Sequence, residues 1–197
     1  MVADAGRVIA GRAKGMRLRA PGEGTRPMGD RVKQTLFAIL EPALRGATVA
    51  DLFAGSGSGG VEALSRGAAA AWFVEKDAGA CRVIAENLER TGLGGASVHV
   101  VRADATDWLS RVGPDAAPFD VVLVDPPYAQ PELLEAVLRR LGDPAAGLLR
   151  EGGVVVAKHF WRTPPPERSG LLASDRVRRF GETALTFYRQ QPTGGEG

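Results

Sequence analysis

The sequence predicts a doubly wound α/β domain, a mostly parallel sheet of seven strands flanked by helices, behind a small basic hairpin-and-helix extension. Three observations lead there. From Thr48 onward, short apolar β-branched runs alternate with stretches of helical apolar spacing, the pattern of strands joined by crossover helices. The first strand enters the small-residue turn Ala54-Gly55-Ser56-Gly57-Ser58-Gly59-Gly60, which opens a helix. The run Val121-Val122-Leu123-Val124 reads as a strand buried on both faces, and it ends in Asp125-Pro126-Pro127-Tyr128.

The elements follow in order. Arg7–Ala10 and Met16–Arg19 flank a Gly/Arg/Lys turn and predict a basic hairpin or arm. Residues 20–29 are a Gly/Pro loop. Asp30 is an expected N-cap for a helix running to about Glu41, with Val32, Leu36, Ile39 and Leu40 as its apolar stripe and Arg31 and Lys33 off it. Val49–Phe53 is the first strand, Val61–Arg66 a helix ended by Gly67, and Ala70–Val74 the second strand, closing on Glu75. Ala78–Thr91 is a helix, Ser97–Val101 the third strand, and Thr106–Arg111 a short helix. The strand ending at Val124 is the fourth, Glu132–Leu141 a helix, and Gly153–Ala157 the fifth strand. Arg176–Phe180 and Ala184–Tyr188 complete the seven as an antiparallel pair across Gly181-Glu182-Thr183. The expected layout is a basic extension over 1–45, the α/β domain over 46–190, and mobile ends at Met1–Gly6 and in the tail 191–197.

Composition narrows the function classes. At 197 residues the chain suits one domain with a sizeable core, and 44% hydrophobic with 24% charged is a globular balance. No apolar run reaches membrane-span length and no signal peptide is evident, so cytoplasm is the expected location. A single cysteine, Cys81, and two widely separated histidines, His99 and His159, give no metal-ligand spacing, and no metal is expected. The net charge of +2 is uneven: residues 1–45 hold nine Lys/Arg against four Asp/Glu. A basic segment on a mildly acidic body suits a polyanionic partner; a merely solvated face is the alternative.

Two constellations indicate a cofactor. Gly55, Gly57 and Gly60 fit a G-x-G-x-x-G spacing, where glycines admit a ligand close to the backbone and helix N–H groups favour an anion. Glu75, at the end of the next strand, is placed to accept hydrogen bonds from ribose hydroxyls. This indicates an adenosine-containing cofactor without saying which. Asp104-Ala105 follows the third strand; its carboxylate can accept from an adenine amino group, cap the next helix, or both. In Asp125-Pro126-Pro127-Tyr128 neither proline has an N–H, so strand pairing stops and a stiff extended hook remains. That hook offers a carboxylate, a free carbonyl and a flat ring at the strand end where α/β sheets bind ligands.

These motifs resemble a known family. Asp51-Leu-Phe-Ala-Gly-Ser-Gly57 is similar to the S-adenosylmethionine motif of class I methyltransferases. Asp125-Pro-Pro-Tyr128 resembles the motif of enzymes that methylate exocyclic amino groups of bases. Arg26–Phe37 and Gly60–Ala68 resemble the RsmD family of bacterial 16S ribosomal RNA guanine-N2 methyltransferases, and the resemblance runs from about Arg7 to Tyr188. It implies a Rossmann-like class I methyltransferase fold and S-adenosylmethionine held by Asp51, Phe53, Ala54, Gly55, Ser56, Gly57, Glu75, Lys76, Asp104, Ala105 and Asp125. It also implies catalysis by Asp125, Pro126, Pro127 and Tyr128, and RNA contact through Arg12, Lys14, Arg17, Arg19, Arg26 and Arg31. The implied substrate is a guanine of the position-966 type, in 16S rRNA within a partly or fully assembled small subunit.

Two departures stand out. Met28 and Gln34 replace a threonine and a glutamate usual in the family. The fifth strand runs into Lys158-His159 where the family usually has a glutamate. In the implied chemistry the amine donates to the Asp125 carboxylate and the Pro126 carbonyl, its lone pair attacks the sulfonium methyl in line, and Tyr128 stacks on a flipped-out base. The hook serves an adenine N6 amine as well as a guanine N2 amine, so an adenine-N6 methyltransferase is the nearest rival. An NAD-binding oxidoreductase fits the glycine spacing but lacks a hydride-transfer acid. A non-catalytic RNA-binding assembly protein would leave both the loop and the hook without a purpose.

Overall fold

The computed structural model describes residues 4–22, 28–113 and 116–192; the expectations for Arg26 and for the tail beyond 192 lie outside them. In chain order the elements are β1 (Asp4–Arg7), β2 (Arg17–Arg19), α1 (Asp30–Leu44), β3 (Thr48–Leu52), α2 (Ser58–Ser65), β4 (Ala70–Glu75), α3 (Ala78–Thr91), β5 (Val98–Arg102) and α4 (Ala105–Arg111). They continue with β6 (Phe119–Val124), α5 (Pro131–Leu141), β7 (Leu149–Phe160), β8 (Arg168–Ser169), β9 (Leu172–Phe180) and β10 (Thr183–Gln190).

β1 and β2 pair with each other, and the other eight strands form one sheet in the order β5-β4-β3-β6-β7-β10-β9-β8. The expected seven strands are thus joined by an eighth, β8. It has only two residues, too few to carry a period-two pattern, and it exists through its pairing with β9. β5, β4, β3, β6 and β7 run parallel, while β10, β9 and β8 are antiparallel. The order reverses between β3 and β6, and such a switch point opens a crevice at the carboxyl ends of the strands.

Helices α1, α2 and α3 pack on one face of the sheet and α4 and α5 on the other. The register sets Phe73, Asp51, Leu123, Val156 and Phe187 in one row across five strands on the α1–α2 face. Every member is buried, so Asp51 is a carboxylate in an apolar row. Burying each large apolar side chain contributes about 1.5–3 kcal/mol relative to exposure.

The N-terminal segment is docked, and several expectations there change. The hairpin strands lie earlier than expected at the N-terminal side: Asp4–Arg7 pairs with Arg17–Arg19, so residues 4–6 are ordered strand rather than a mobile end, with Ala5 fully buried. Ala5, Val8, Ala13 and Leu18 join the same core as Leu36, Phe37 and Leu40 of α1. The intervening loop is clamped by α2. Glu62, fully buried, accepts the N–H groups of Ile9 (2.7 Å) and Ala10 (3.0 Å) and pairs with Arg66 Nε at 2.8 Å. Ser65 Oγ accepts from Ala13 N and donates to the Ala10 carbonyl.

Asp30 is not the N-cap of α1. Gly29 holds that position without a side-chain bond, and Asp30, one place further on, pairs with Arg7 at 3.2 Å. α1 also continues through Pro42 to Leu44, an apolar residue whose burial favours the extra turn. Lys33, off the apolar stripe, is nevertheless fully buried because the hairpin covers it; its ammonium donates to the Arg7 carbonyl at 2.7 Å. Burial pushes its pKa down against the opposing pull of Glu62 and Asp30.

Glu62→Ala should lower stability by about 2–3 kcal/mol, because it leaves two part-buried N–H groups without their acceptor and Arg66 with Glu41 alone. Thermal unfolding of the two proteins, with limited proteolysis of the N-terminal segment, measures it.

Candidate active site

A cavity of about 580 Å³ opens at the carboxyl ends of β3, β4, β6 and β7, a size that takes a nucleoside-bearing ligand. Of the residues expected to bind cofactor or catalyse, Asp51, Phe53, Ala54, Gly55, Ser56, Glu75, Lys76, Asp104, Ala105, Asp125, Pro126, Pro127 and Tyr128 all line it. Gly57 does not. It caps α2 from below in a left-handed conformation (φ 74°), and a Cβ there would meet Ile84 and Phe73 at 3.1–3.2 Å. Gly60 serves packing too: its Cβ would come within 2.3 Å of the Phe73 ring.

The loop is built by specific bonds. Phe53 adopts φ 59°, a conformation that costs a bulky residue about 1–3 kcal/mol and that no feature of the sequence signals. Ala54 N donates to the Val74 carbonyl and Gly55 N to Glu75 Oε2 at 2.9 Å. Asp51 Oδ2 accepts Gly60 N at 2.7 Å, which ties β3 to the start of α2. α2 has no side-chain cap, and Ser58 and Gly59, in its first turn, line the cavity. Asp104 does cap α4, and its bonds from Thr106 N, Thr106 Oγ1 and Asp107 N all fall on Oδ1. That leaves Oδ2 to accept from a ligand.

The electrostatics are dominated by acids. Burial, reinforced by the nearby charges of Asp125 and Glu75 and offset by the Gly60 hydrogen bond, raises the Asp51 pKa to about 7. Burial also raises that of Asp125, with Lys158 pulling the other way. A site of this kind favours a cationic occupant. Among the described residues no group of three or more His, Cys, Asp or Glu could hold a metal ion.

The hook is as stiff as its prolines require. Asp125 N is tethered to the Leu52 carbonyl at 3.4 Å, while the Pro126 carbonyl takes no hydrogen bond from the described residues. The Tyr128 ring is 39% exposed, and its hydroxyl lies 2.9 Å from Thr183 Oγ1. Lys158, at the end of β7, is largely buried and paired. Its Nζ sits 2.8 Å from both oxygens of Asp125 and 5.4 Å from the centre of the Tyr128 ring. The register accounts for this, since Val124 lies opposite Ala157 and the next residues are Asp125 and Lys158. Its neighbour His159 is a satisfied core residue: Nδ1 donates to the Phe160 carbonyl, Nε2 accepts from the Thr186 hydroxyl, and burial lowers its pKa.

Sequence reasoning missed three contributions. Lys158 had one signal, its place directly beyond a strand expected to adjoin the hook. Asn87, fully buried on α3, accepts Arg19 N and donates to the carbonyls of Arg19 and Ser56, joining the extension to the glycine loop. Its only sequence trace is a polar residue within an amphipathic helix. Ala20, Met28, Gly29 and Val32 close one side of the cavity, so Met28 is a wall residue, whereas Gln34 is exposed. Among the residues expected to touch RNA, Arg12, Lys14 and Arg31 are exposed. Arg17 is paired with Asp4 and Arg19 with Glu86, each at 2.6 Å.

Known proteins share this architecture. The family model described as "Conserved hypothetical protein 95" matches residues 6–189. YlbH of Bacillus subtilis (strain 168) is 36% identical over 186 residues, covering 94% of this chain and 99% of that protein. "Ribosomal RNA small subunit methyltransferase D" of Escherichia coli (strain K12) is 33% identical over 189 residues, covering 95% and 91%. The solved structure of yhhF from Escherichia coli superposes with a TM-score of 0.81 at 31% identity, covering 94% of this chain and 97% of that one. Cavity, glycine loop and hook thus sit on a chain that is similar to these proteins from end to end, and it belongs to the Conserved hypothetical protein 95 family, the RsmD-like class I methyltransferases.

Proposed function

We propose that this protein transfers a methyl group from S-adenosylmethionine to the exocyclic N2 of a guanine in 16S ribosomal RNA, in a partly or fully assembled small subunit. Methylation of ribosomal RNA with that cofactor follows from membership of the family. The choice of guanine N2, of the position-966 type, is the proposal. It is supported by the likeness, over nearly the whole chain, to a relative named for the small-subunit RNA. The observation that carries the chemistry is the hook: a carboxylate and a carbonyl with no hydrogen-bond donor among the described residues, adjacent in sequence, at the mouth of the glycine-loop cavity.

The cavity fits the cofactor by its donors and acceptors. Glu75 would take the ribose hydroxyls, Asp104 Oδ2 and the Ala105 N–H the adenine edge, and the acid-lined floor at Asp51 the positive end. Bound there, S-adenosylmethionine supplies an electrophilic methyl group. The remaining work belongs to the chain. Asp125 and the Pro126 carbonyl would each accept one N–H of the target amine, drawing its lone pair out of conjugation with the ring. Lys158 opposes protonation of the Asp125 carboxylate, against the effect of burial, and fixes its plane. Tyr128 offers its face to the base, with its hydroxyl anchored on Thr183. Arg12, Lys14 and Arg31 would hold phosphates. No covalent enzyme intermediate is needed; positioning and electrostatics suffice.

Labelled cofactor incubated with small-subunit RNA or partly assembled subunits, followed by nucleoside analysis, should yield N2-methylguanosine. N6-methyladenosine would instead establish the adenine enzyme. Asp125→Ala should abolish turnover while cofactor affinity, read by calorimetry, survives. Lys158→Met should move the acid limb of the kcat/KM–pH profile upward, because buried Asp125 then loses the cation that opposes its protonation. Asp51, half protonated near pH 7, should release a proton when the sulfonium cation binds, so cofactor affinity should rise between about pH 6 and 8. Calorimetry in buffers of different ionisation enthalpy reads that release, and Asp51→Asn should remove it.

A further inference from the structure

The RNA arm suggested by charge lies at the N-terminus, but there Arg17 and Arg19 already have carboxylate partners. The opposite rim of the cavity is different. Glu182 and Thr183, at the β9–β10 turn, line the cavity, and Trp161 N donates to the Glu182 carbonyl. The end of β7 and this turn therefore form one edge. Along it three rings follow each other outward from the hook. The centre of Tyr128 lies 6.4 Å from that of Phe160, and Phe160 lies 6.5 Å from Trp161.

Two guanidinium groups then meet the last ring. The Arg179 Cζ stands 3.5 Å from the Trp161 ring centre, and the Arg162 Cζ stands 5.0 Å from it. Both arginines are exposed, and neither has a carboxylate partner among the described residues. Arg178 and Arg176 are exposed as well, but they stand in register with Leu185 and Lys158 and with Phe187 and Val156, on the opposite face of the sheet from Arg179, which is in register with Ala184 and His159.

We propose that the β7–β9–β10 rim, through Trp161, Arg162 and Arg179, is a docking track for the single-stranded RNA flanking the methylated nucleotide. The chemistry of the occupant follows from the surface. A row of rings beside guanidinium groups that have no carboxylate partner among the described residues suits bases and phosphates of a single strand, whereas a duplex presents no free base faces. Guanidinium groups over an indole are themselves surfaces on which a base can stack. Continuity decides the direction, since the row starts at Tyr128, where the target base is proposed to sit. The inference rests on the RNA-methylating reading and adds to it which strand path the RNA takes.

The test uses the full chain, its bound cofactor and a fluorescent single-stranded oligoribonucleotide, with binding followed by anisotropy across a salt series. Arg162→Gln/Arg179→Gln should weaken binding and make the log–log salt slope shallower by about 1.4, two phosphate contacts on a single strand. Trp161→Ala should weaken it several-fold, and Trp161→Phe much less, because the ring that positions the two guanidinium groups is lost. Cofactor affinity of each variant, read by calorimetry, reports that the fold and the cavity are intact. Unchanged RNA affinity and slope in variants that retain cofactor binding would overturn the rim proposal while leaving the methyltransferase reading in place. A wild-type protein that binds cofactor but no RNA, or a rim that binds duplex as tightly as single strand, would overturn it as well. A wild-type protein that does not bind the cofactor would overturn the underlying reading.

Discussion

The structure depends on one electrostatic constraint: β3 and β6, neighbours at the switch point, each bring a carboxylate to the same cavity. Burying an acid is costly, and placing two in one low-dielectric space is costlier. The fold answers each differently. Asp51 is met by a single backbone N–H, from Gly60, and its pKa rises to about 7. Asp125 is met by an ammonium held 2.8 Å from both its oxygens. Asp51 is therefore left responsive to the charge of whatever occupies the cavity, while Asp125 is kept as a fixed acceptor. The parallel strands make the pairing possible, because their register puts Lys158 beside Asp125 with no loop between.

The rest of the chain keeps that cavity closed and oriented. The N-terminal segment supplies a wall rather than a free appendage, and it is held by buried groups that also serve the glycine loop. Glu62 grips the hairpin from α2, the helix that the loop opens into. Asn87 bonds Arg19 on one side and Ser56 on the other. The opposite wall, at the β9–β10 turn, anchors Tyr128 through Thr183.

The mouth of the cavity carries a shaped acceptor pair, the Asp125 carboxylate and the Pro126 carbonyl. Its acceptors belong to a two-proline segment with little conformational freedom, so little ordering remains to be done on binding. On the proposed chemistry the hook would serve any base bearing an exocyclic amine, and discrimination would fall to the surfaces around the mouth, the docked extension on one side and the aromatic, arginine-bearing rim on the other.

The sequence by itself determined the α/β order of elements, the glycine loop, Glu75 and Asp104 at their strand ends, and the hook. These are local matters of apolar period, missing N–H groups and carboxylates at predictable strand termini. Only the tertiary structure decided the partners. Lys33 looked peripheral on its helix and is buried under a hairpin far away in sequence. Asp30 looked like a cap and is an ion-pair partner of Arg7. Gly57 looked like a ligand contact and supports the loop from beneath. Lys158 had no evident role and holds the hook's carboxylate. Burial and charge pairing are set by segments distant along the chain, and no window of sequence records which side chain meets which across a sheet.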